Sequence, residues 1–371
     1  KSDLFAGLTV GVILIPQGIA YAIIAGLPPI YGLYTAMIPQ VVYTIMGTSR
    51  QLAVGPAAMD SLIVASGIGL LASVGSEHFI VLAVLLAFMV GFFQFLFGIF
   101  RLGFLVNFLS KPVISGFTSG SAIIIGMNQI GNLLGMQVDR SNQMHSLLME
   151  VIDKLADIHW ASALIGLLAI IFILGIKKLN KKIPGALVVV VLGILSAYLF
   201  KLDLKGVTIL GDIPQGLPKF VIPTFDMAFM EELSGLALTL GLIGFMEAIS
   251  IAKSIEVKHN SYRVEPNKEL VALGFSNMIG SFFQTYPATG GFARTAVNDQ
   301  SGAKTPLSSL IAALVIALSL LFLTPAFSFL PKTILAAIII VAAYGLLDFS
   351  LPKDLLFYNI RDPVSYTHLT L

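Results

Sequence analysis

Gln284-Thr285-Tyr286-Pro287-Ala288-Thr289-Gly290-Gly291, running into Phe292-Ala293-Arg294, interrupts an apolar region with an extended-type stretch just ahead of a segment that ends near Gln300. An earlier stretch has the same character. Gln51-Leu52-Ala53-Val54-Gly55-Pro56 leads into a segment where a helix can begin at Ala57 and run to about Ala72. Proline has no amide hydrogen and glycine is conformationally permissive, so both stretches predict a short extended piece followed by the N-terminus of a half-helix. Backbone of this kind at membrane depth is tolerated only where protein or a water-filled cavity satisfies it. The first break falls in the third apolar segment and the second in the tenth, which is the third after the polar stretch Lys201 to Glu232. Interrupted segments at matching positions of two halves point to an inverted-repeat transporter with its site between the half-helix N-termini. Two re-entrant loops of purely structural meaning are the bland alternative.

The chain around these breaks reads as membrane-embedded. It is 57% hydrophobic and 11% charged, with a mean hydropathy of +0.92, far more apolar than a soluble domain tolerates. Phe79 to Phe100 alone is an uncharged run of the ~20 residues that a spanning helix needs. Leu4 to Ala25 contains Pro16 and Gln17, has no small-residue cleavage pattern after it, and reads as a span rather than a signal peptide. About twelve such segments follow one another, centred near Leu14, Val41, Leu62, Phe88, Ile123, Leu168, Val191, Leu240, Gly274, Ala296, Ala317 and Ile339. The loops Gln137 to His159 and Lys201 to Glu232 are polar with acidic excess. The turn Lys177-Lys178-Leu179-Asn180-Lys181-Lys182 is basic, as is the connection with Arg101 and Lys111. Lysine and arginine accumulate on the cytoplasmic side, which places the N-terminus inside. A net charge of +2 without a basic stripe gives no reason to expect nucleic acid. The absence of cysteine excludes thiolate chemistry, and the scattered His78, His145, His159, His259 and His368 show no metal-ligand spacing. No cofactor or metal is expected.

Helix N-termini carry unpaired N–H groups and about half a positive charge, so two that face one point form an anion site before any side chain is added. Arg294 would sit in the first turn of the second half-helix and add a permanent charge. Unpaired at the membrane centre, it would cost at least ~2.5 to 3.5 kcal/mol, which a bound anion would offset, as would Glu247 in the apolar eighth segment. A structural Arg294–Glu247 pair is the plain alternative. Glu247 is also a candidate to exchange a proton, and Lys253 is expected to snorkel to the interface. Asp60 and Asp299 lie within the half-helices near a turn or helix end and read as weaker candidates. Gln17, just past Pro16, and Tyr21, one turn on, share a face and could offer donors to an anion; an interhelical hydrogen bond is the alternative. Gly116, Gly120 and Gly126 read as sites of close helix approach.

At these residues the sequence resembles the SulP sulfate permease family, prokaryotic relatives of the solute carrier 26 anion transporters. The matches run from Asp3-Leu4-Phe5-Ala6-Gly7 through Pro16-Gln17-Gly18-Ile19-Ala20-Tyr21, Pro28-Pro29-Ile30-Tyr31-Gly32, Gly47-Thr48-Ser49-Arg50 with Val54-Gly55-Pro56, Gly116-Phe117-Thr118-Ser119-Gly120, Glu247 with Ile249-Ser250, Asn267-Lys268-Glu269-Leu270 and Gly291-Phe292-Ala293-Arg294-Thr295-Ala296. The resemblance implies an all-α membrane protein with a seven-plus-seven inverted-repeat transporter fold, a core and a gate domain, and elevator-like movement. It places the anion on Gln17, Tyr21, Val54, Ala57, Phe292, Ala293 and Arg294, and the eighth-segment acid on Glu247. Sodium-coupled bicarbonate members resemble the chain but carry Asp at that position and a hydroxyl residue one turn later, where this sequence has Ile251.

The expected organisation is a first repeat over residues 1–200, with seven spans, and an incomplete second over 201–371, with spans eight to twelve. Two closing spans after about Asp348 and the family's STAS domain are missing, and 364–371 reads as a foreign tail. The expected function is secondary active transport of sulfate or a related oxyanion, bicarbonate or a dicarboxylate, coupled to protons, in a bacterial inner membrane, with a homodimer in the full-length protein. A passive anion channel and a nucleobase permease of the same fold are the alternatives. Nucleobase permeases hold their ligand with carboxylates, against which Arg294 argues. An intramembrane enzyme would need a nucleophile–base pair or metal ligands in the spans, and the sequence offers neither.

Overall fold

In a computed structural model, the structure describes residues 1–104, 119–120, 122–124, 126–138, 144–179, 185–211, 214–259 and 262–345. The basic residues Lys111, Lys181 and Lys182, the glycine Gly116, the region after about Asp348 and the expected tail 364–371 lie outside them. The described residues are mostly helical: α1 (Ser2–Ile24), α2 (Pro29–Met46), α3 (Ala58–Ile68), α4 (Glu77–Ile99), α5 (Met144–Asp153), α6 (Trp160–Leu179), α7 (Gly185–Phe200), α8 (Met227–His259), α9 (Pro266–Ser281), α10 (Phe292–Gln300), α11 (Leu307–Phe322) and α12 (Lys332–Tyr344). By length and composition α1, α4 and α8 can each cross a membrane. The acidic stretch Gln137 to His159, expected as a loop, contains α5, whose apolar residues recur on one helical face.

Helix boundaries follow local chemistry. Gly26 at φ 81° turns the chain after α1, and α2 begins at Pro29 behind Pro28, where a fixed φ and a missing N–H cost nothing. Ser76 caps α4 by accepting from the Phe79 amide at 3.1 Å. α1 continues through Pro16.

Two compact units draw their described residues from Lys1–Val106 with Ile213–Pro325, and from Asn107–Asp212 with Ala326–Leu371. Each takes residues from both sequence halves. The first contains α1–α4 and α8–α11, and its apolar core includes Phe79, Leu82, Leu85, Leu86, Leu240 and Tyr286. Its helices approach closely at glycines. A Cβ on Gly32 of α2 would fall 1.9 Å from the Gly18 carbonyl oxygen of α1, and one on Gly274 of α9 would lie 2.8 Å from the Gly91 oxygen of α4. Gly126, expected at such a contact, has no neighbour within 4 Å among the described residues. The second unit contains α5–α7 and α12. Ile209 and Pro331 form an antiparallel bridge there, flanked by Leu210 N–H donating to Leu330 and Lys332 N–H to Thr208, both at 2.9 Å.

Candidate functional site

The two interrupted segments meet inside the first unit. β1 (Val54–Gly55) and β2 (Thr289–Gly290) pair antiparallel, with Val54 opposite Gly290 and Gly55 opposite Thr289. The pairing extends outward: Gly291 N–H donates to the Ala53 carbonyl at 3.0 Å, and Ala53 N–H donates to Thr295 Oγ1 at 3.1 Å. Asn277 braces the approach to β2 in both directions, donating to the Ala288 carbonyl at 3.0 Å and accepting from the Ala288 amide at 2.8 Å. Such short strands make few ladder bonds, and these side chains supply the partners that buried backbone requires.

Each strand leads directly into a helix: α3 has Ala57 as its N-cap, and α10 has Gly291. Neither cap supplies a side-chain acceptor, so the leading amides of both helices keep the donors that a helix N-terminus leaves free. Because the strands pair antiparallel, the chain leaves them in opposite directions and both N-termini stay beside the shared pairing. The extended pieces and half-helices read from the sequence are therefore present, with α10 over the expected residues and α3 ending at Ile68.

Arg294, 3% exposed, ties the two segments together. It donates to the Pro56 carbonyl and reaches the Thr289 carbonyl at 3.5 Å, while its Nε has no hydrogen-bond partner. Its guanidinium folds back over its own helix start, where a Cβ on Gly291 would lie 2.4 Å from Cζ. Glycine leaves the room that Arg294 fills. Glu247 on α8 lies within Coulombic reach of Arg294, and its buried Oε2 has no partner. Among the described residues neither Glu247 nor Asp60 comes within 4 Å of Arg294 as an ion pair.

α1 packs against α3 and α10. Tyr21, buried at 9% exposure, lies within Coulombic reach of Arg294 and Glu247. Gln17 is half-buried, and its Oε1 has no partner, so it makes no interhelical hydrogen bond through that oxygen. Val54 and Ala57 are buried, whereas Phe292 is 59% exposed and Ala293 is exposed. Tyr21, Val54, Ala57, Arg294 and Glu247 thus gather around the helix starts, and Phe292 and Ala293, in the first turn of α10, are exposed there.

Lys253, expected to snorkel to the interface, is 44% exposed and pairs with Glu256 at 2.7 Å. Asp299 pairs with Lys258 and His259 at the end of α8. Asp60, 2% exposed, has an unpartnered Oδ1 beside the site. Glu269 is fully buried and accepts from Tyr43 Oη, Thr48 N–H and Thr48 Oγ1, each at 2.6 Å, and from Ser49 N–H at 3.2 Å. An acid in an amphipathic first turn gives no sequence signal of that burial. Among the described residues no cluster of three His, Asp or Glu side chains is placed to hold a metal.

The chain is 43% identical over 358 residues to the probable sulfate transporter 4.2 of Arabidopsis thaliana, covering 94% of the chain and 52% of that protein. It is 38% identical over 389 residues to the sodium-independent sulfate anion transporter of Bos taurus, covering 96% and 63%. The chain therefore spans between about half and two thirds of the length of these relatives. Among solved structures it resembles SLC26A9, with a TM-score of 0.91, 26% identity, and 99% of this chain and 61% of that one covered. The transmembrane domain of the cyanobacterial bicarbonate transporter BicA gives a TM-score of 0.90, 26% identity, and 100% and 94% coverage. The profile of the sulfate permease family matches residues 1–363, from the first helix through both interrupted segments, and the chain belongs to that family.

Proposed function

We propose that the chain is the membrane part of a secondary active transporter that carries a small anion, sulfate or a related oxyanion, with bicarbonate or a dicarboxylate as variants of the same demand. The observation that carries this reading is Arg294: a buried guanidinium with a free Nε, placed where two uncapped helix starts converge. Fixed donors and positive charge in a water-poor site are what an oxyanion needs. Gln17, Tyr21, Val54, Ala57, Phe292, Ala293 and Arg294 are the proposed binding residues. The sulfate transporters among the relatives and the bicarbonate transporter among the structural neighbours support the anion class.

Glu247 is the proposed proton carrier. A carboxyl near the anion and Arg294 can take up a proton when negative charge enters and release it when the anion leaves. The two broken segments at matching positions support an inverted-repeat organisation over residues 1–200 and 201–371, with elevator-like movement, a cytoplasmic N-terminus, a bacterial inner membrane and a dimeric full-length protein as the accompanying proposals. Uptake of labelled sulfate, bicarbonate and a dicarboxylate into proteoliposomes under an inward proton gradient tests the reading. Accumulation of one of them above equilibrium, abolished by R294A, is the expected result. Flux that only equilibrates would make the protein a passive channel.

A further inference from the structure

We propose that Asp60 is a second proton-accepting carboxyl of the anion site, acting beside Glu247, so that binding a divalent oxyanion draws protons onto a pair of acids rather than onto one. The inference rests on the reading of Arg294 and Glu247 given above. Asp60 lies in the first turn of α3, one of the two half-helices whose starts form the site. Its side chain is buried, and Oδ1 has no hydrogen-bond partner, the same condition as Glu247 Oε2.

The other carboxylate oxygen points toward α8. A Cβ on Gly244 would lie 3.4 Å from Asp60 Oδ2, and Gly244 is three residues before Glu247, so both fall on one face of that helix. Thr289 Oγ1, also 3.4 Å from that Cβ position, donates to the Gly244 carbonyl at 2.5 Å and fixes α8 against β2. Asp60 thereby reaches across to the helix that carries Glu247, and the two acids and Arg294 lie within Coulombic reach of one another. The groups facing Asp60 from the surrounding elements are Glu247 of α8, Arg294 of α10 and Tyr286 ahead of β2, with Tyr21 of α1 facing Arg294 and Glu247. Tyr286 is occupied, its hydroxyl lying 3.1 Å from Ser61 Oγ.

Charge counting gives the pair its role. A dianion beside Arg294 brings two negative charges to a site whose one guanidinium already faces two carboxylates. Protonating both acids removes that excess, and the protons come from the water of whichever side the site faces. Each acid returns its proton when the anion leaves, and no covalent step is involved.

Calorimetric titration of the full chain with sulfate, repeated in buffers of different ionisation enthalpy, counts the protons taken up per anion bound. Wild type is expected to take up more than either single variant, D60N and E247Q are each expected to keep sulfate binding with reduced uptake, and D60N/E247Q is expected to take up none. D60E is expected to restore the wild-type count, which a merely structural Asp60 would not require. If D60N yields no folded protein, E247Q decides: residual uptake supports Asp60 as acceptor, and zero uptake overturns the proposal. Sulfate binding that needs Arg294 but shows the same proton count in D60N and wild type would sink this inference alone. Binding that survives R294A unchanged would sink the site on which it rests.

Discussion

Arg294 of the second half-helix donates to the backbone carbonyl of Pro56, in the segment that begins the first. One side chain therefore closes the joint between the interrupted segments while its Nε stays without a partner, available to the proposed anion. The planar guanidinium has several donors in fixed directions, whereas an ammonium is a point charge. Arg294→Lys should keep the charge but lose one of the two tasks, and Arg294→Ala should lose both. Taking ~1.5 to 3 kcal/mol for a hydrogen bond to a charged group, sulfate affinity should fall by roughly 10-fold or more in R294K and by roughly 100-fold in R294A. Titration calorimetry on the purified variants measures it, and an R294K affinity equal to that of wild type would mean that charge alone matters.

The crossing of α1 and α2 offers a test of packing away from the ligand. Because a Cβ on Gly32 would meet the Gly18 carbonyl oxygen at 1.9 Å, and that atom is backbone, Gly32→Ala can be accommodated only by moving a helix. Overpacking of this kind costs about 1 to 3 kcal/mol, so the melting temperature in detergent should drop by several degrees. Gly235 on α8 has nothing within 4 Å of its Cβ position. Gly235→Ala should be neutral or slightly stabilising, through helix propensity alone, and a drop as large as that of G32A would show that glycine loss as such is the cause.

What could be read from the sequence divides along physical lines. The half-helices were legible because Gly55-Pro56 and Gly290-Gly291 break the helical period locally, and α10 occupies the residues read for it. Arg294 and Glu247 were legible because ionisable residues are rare in apolar spans. The place of Asp60 is not legible in the sequence, because it depends on how α3 meets α8 at Gly244, a relation over nearly two hundred positions. Gly126, expected at a close contact, has no neighbour within 4 Å among the described residues, whereas Gly18 with Gly32 and Gly91 with Gly274 do bring helices together. A glycine marks permission to approach, and only the tertiary arrangement says where it is used.

Glu269 is in fact the acceptor for two hydroxyls and two backbone amides, which joins the start of α9 to the turn after α2. Every partner is a donor toward it. Glu269→Gln would place an amide N–H₂ against that set, leaving at least one buried donor unmatched, with a cost on the order of 2 to 4 kcal/mol. Tyr43→Phe removes only one of the donors and should cost about 1 kcal/mol. Thermal unfolding of the two variants beside wild type checks the order, and a Y43F loss equal to that of E269Q would show that the network does not act through Glu269.

Asp299 sits at the far end of α10, five residues beyond Arg294, and its buried carboxylate receives Lys258 and His259 from the last turn of α8. α8 also carries Glu247, so the helices that hold the proposed anion and proton groups are fastened to each other again beyond the site. The carboxylate is almost fully buried while Lys258 is largely exposed. Losing Asp299 should therefore free the exposed Lys258 and His259 side chains cheaply but leave α10 without its end clamp, consistent with the small worth of exposed ion pairs. Asp299→Asn should leave global unfolding within about 1 kcal/mol of wild type and raise amide hydrogen exchange selectively over Phe292–Gln300 and the end of α8. Sulfate binding should weaken by less than in R294A, because the helix start is still held by the β1–β2 pairing and by the Arg294 contact to Pro56. Exchange in α10 that stays at the wild-type rate would show that the strand pairing alone holds the half-helix in place.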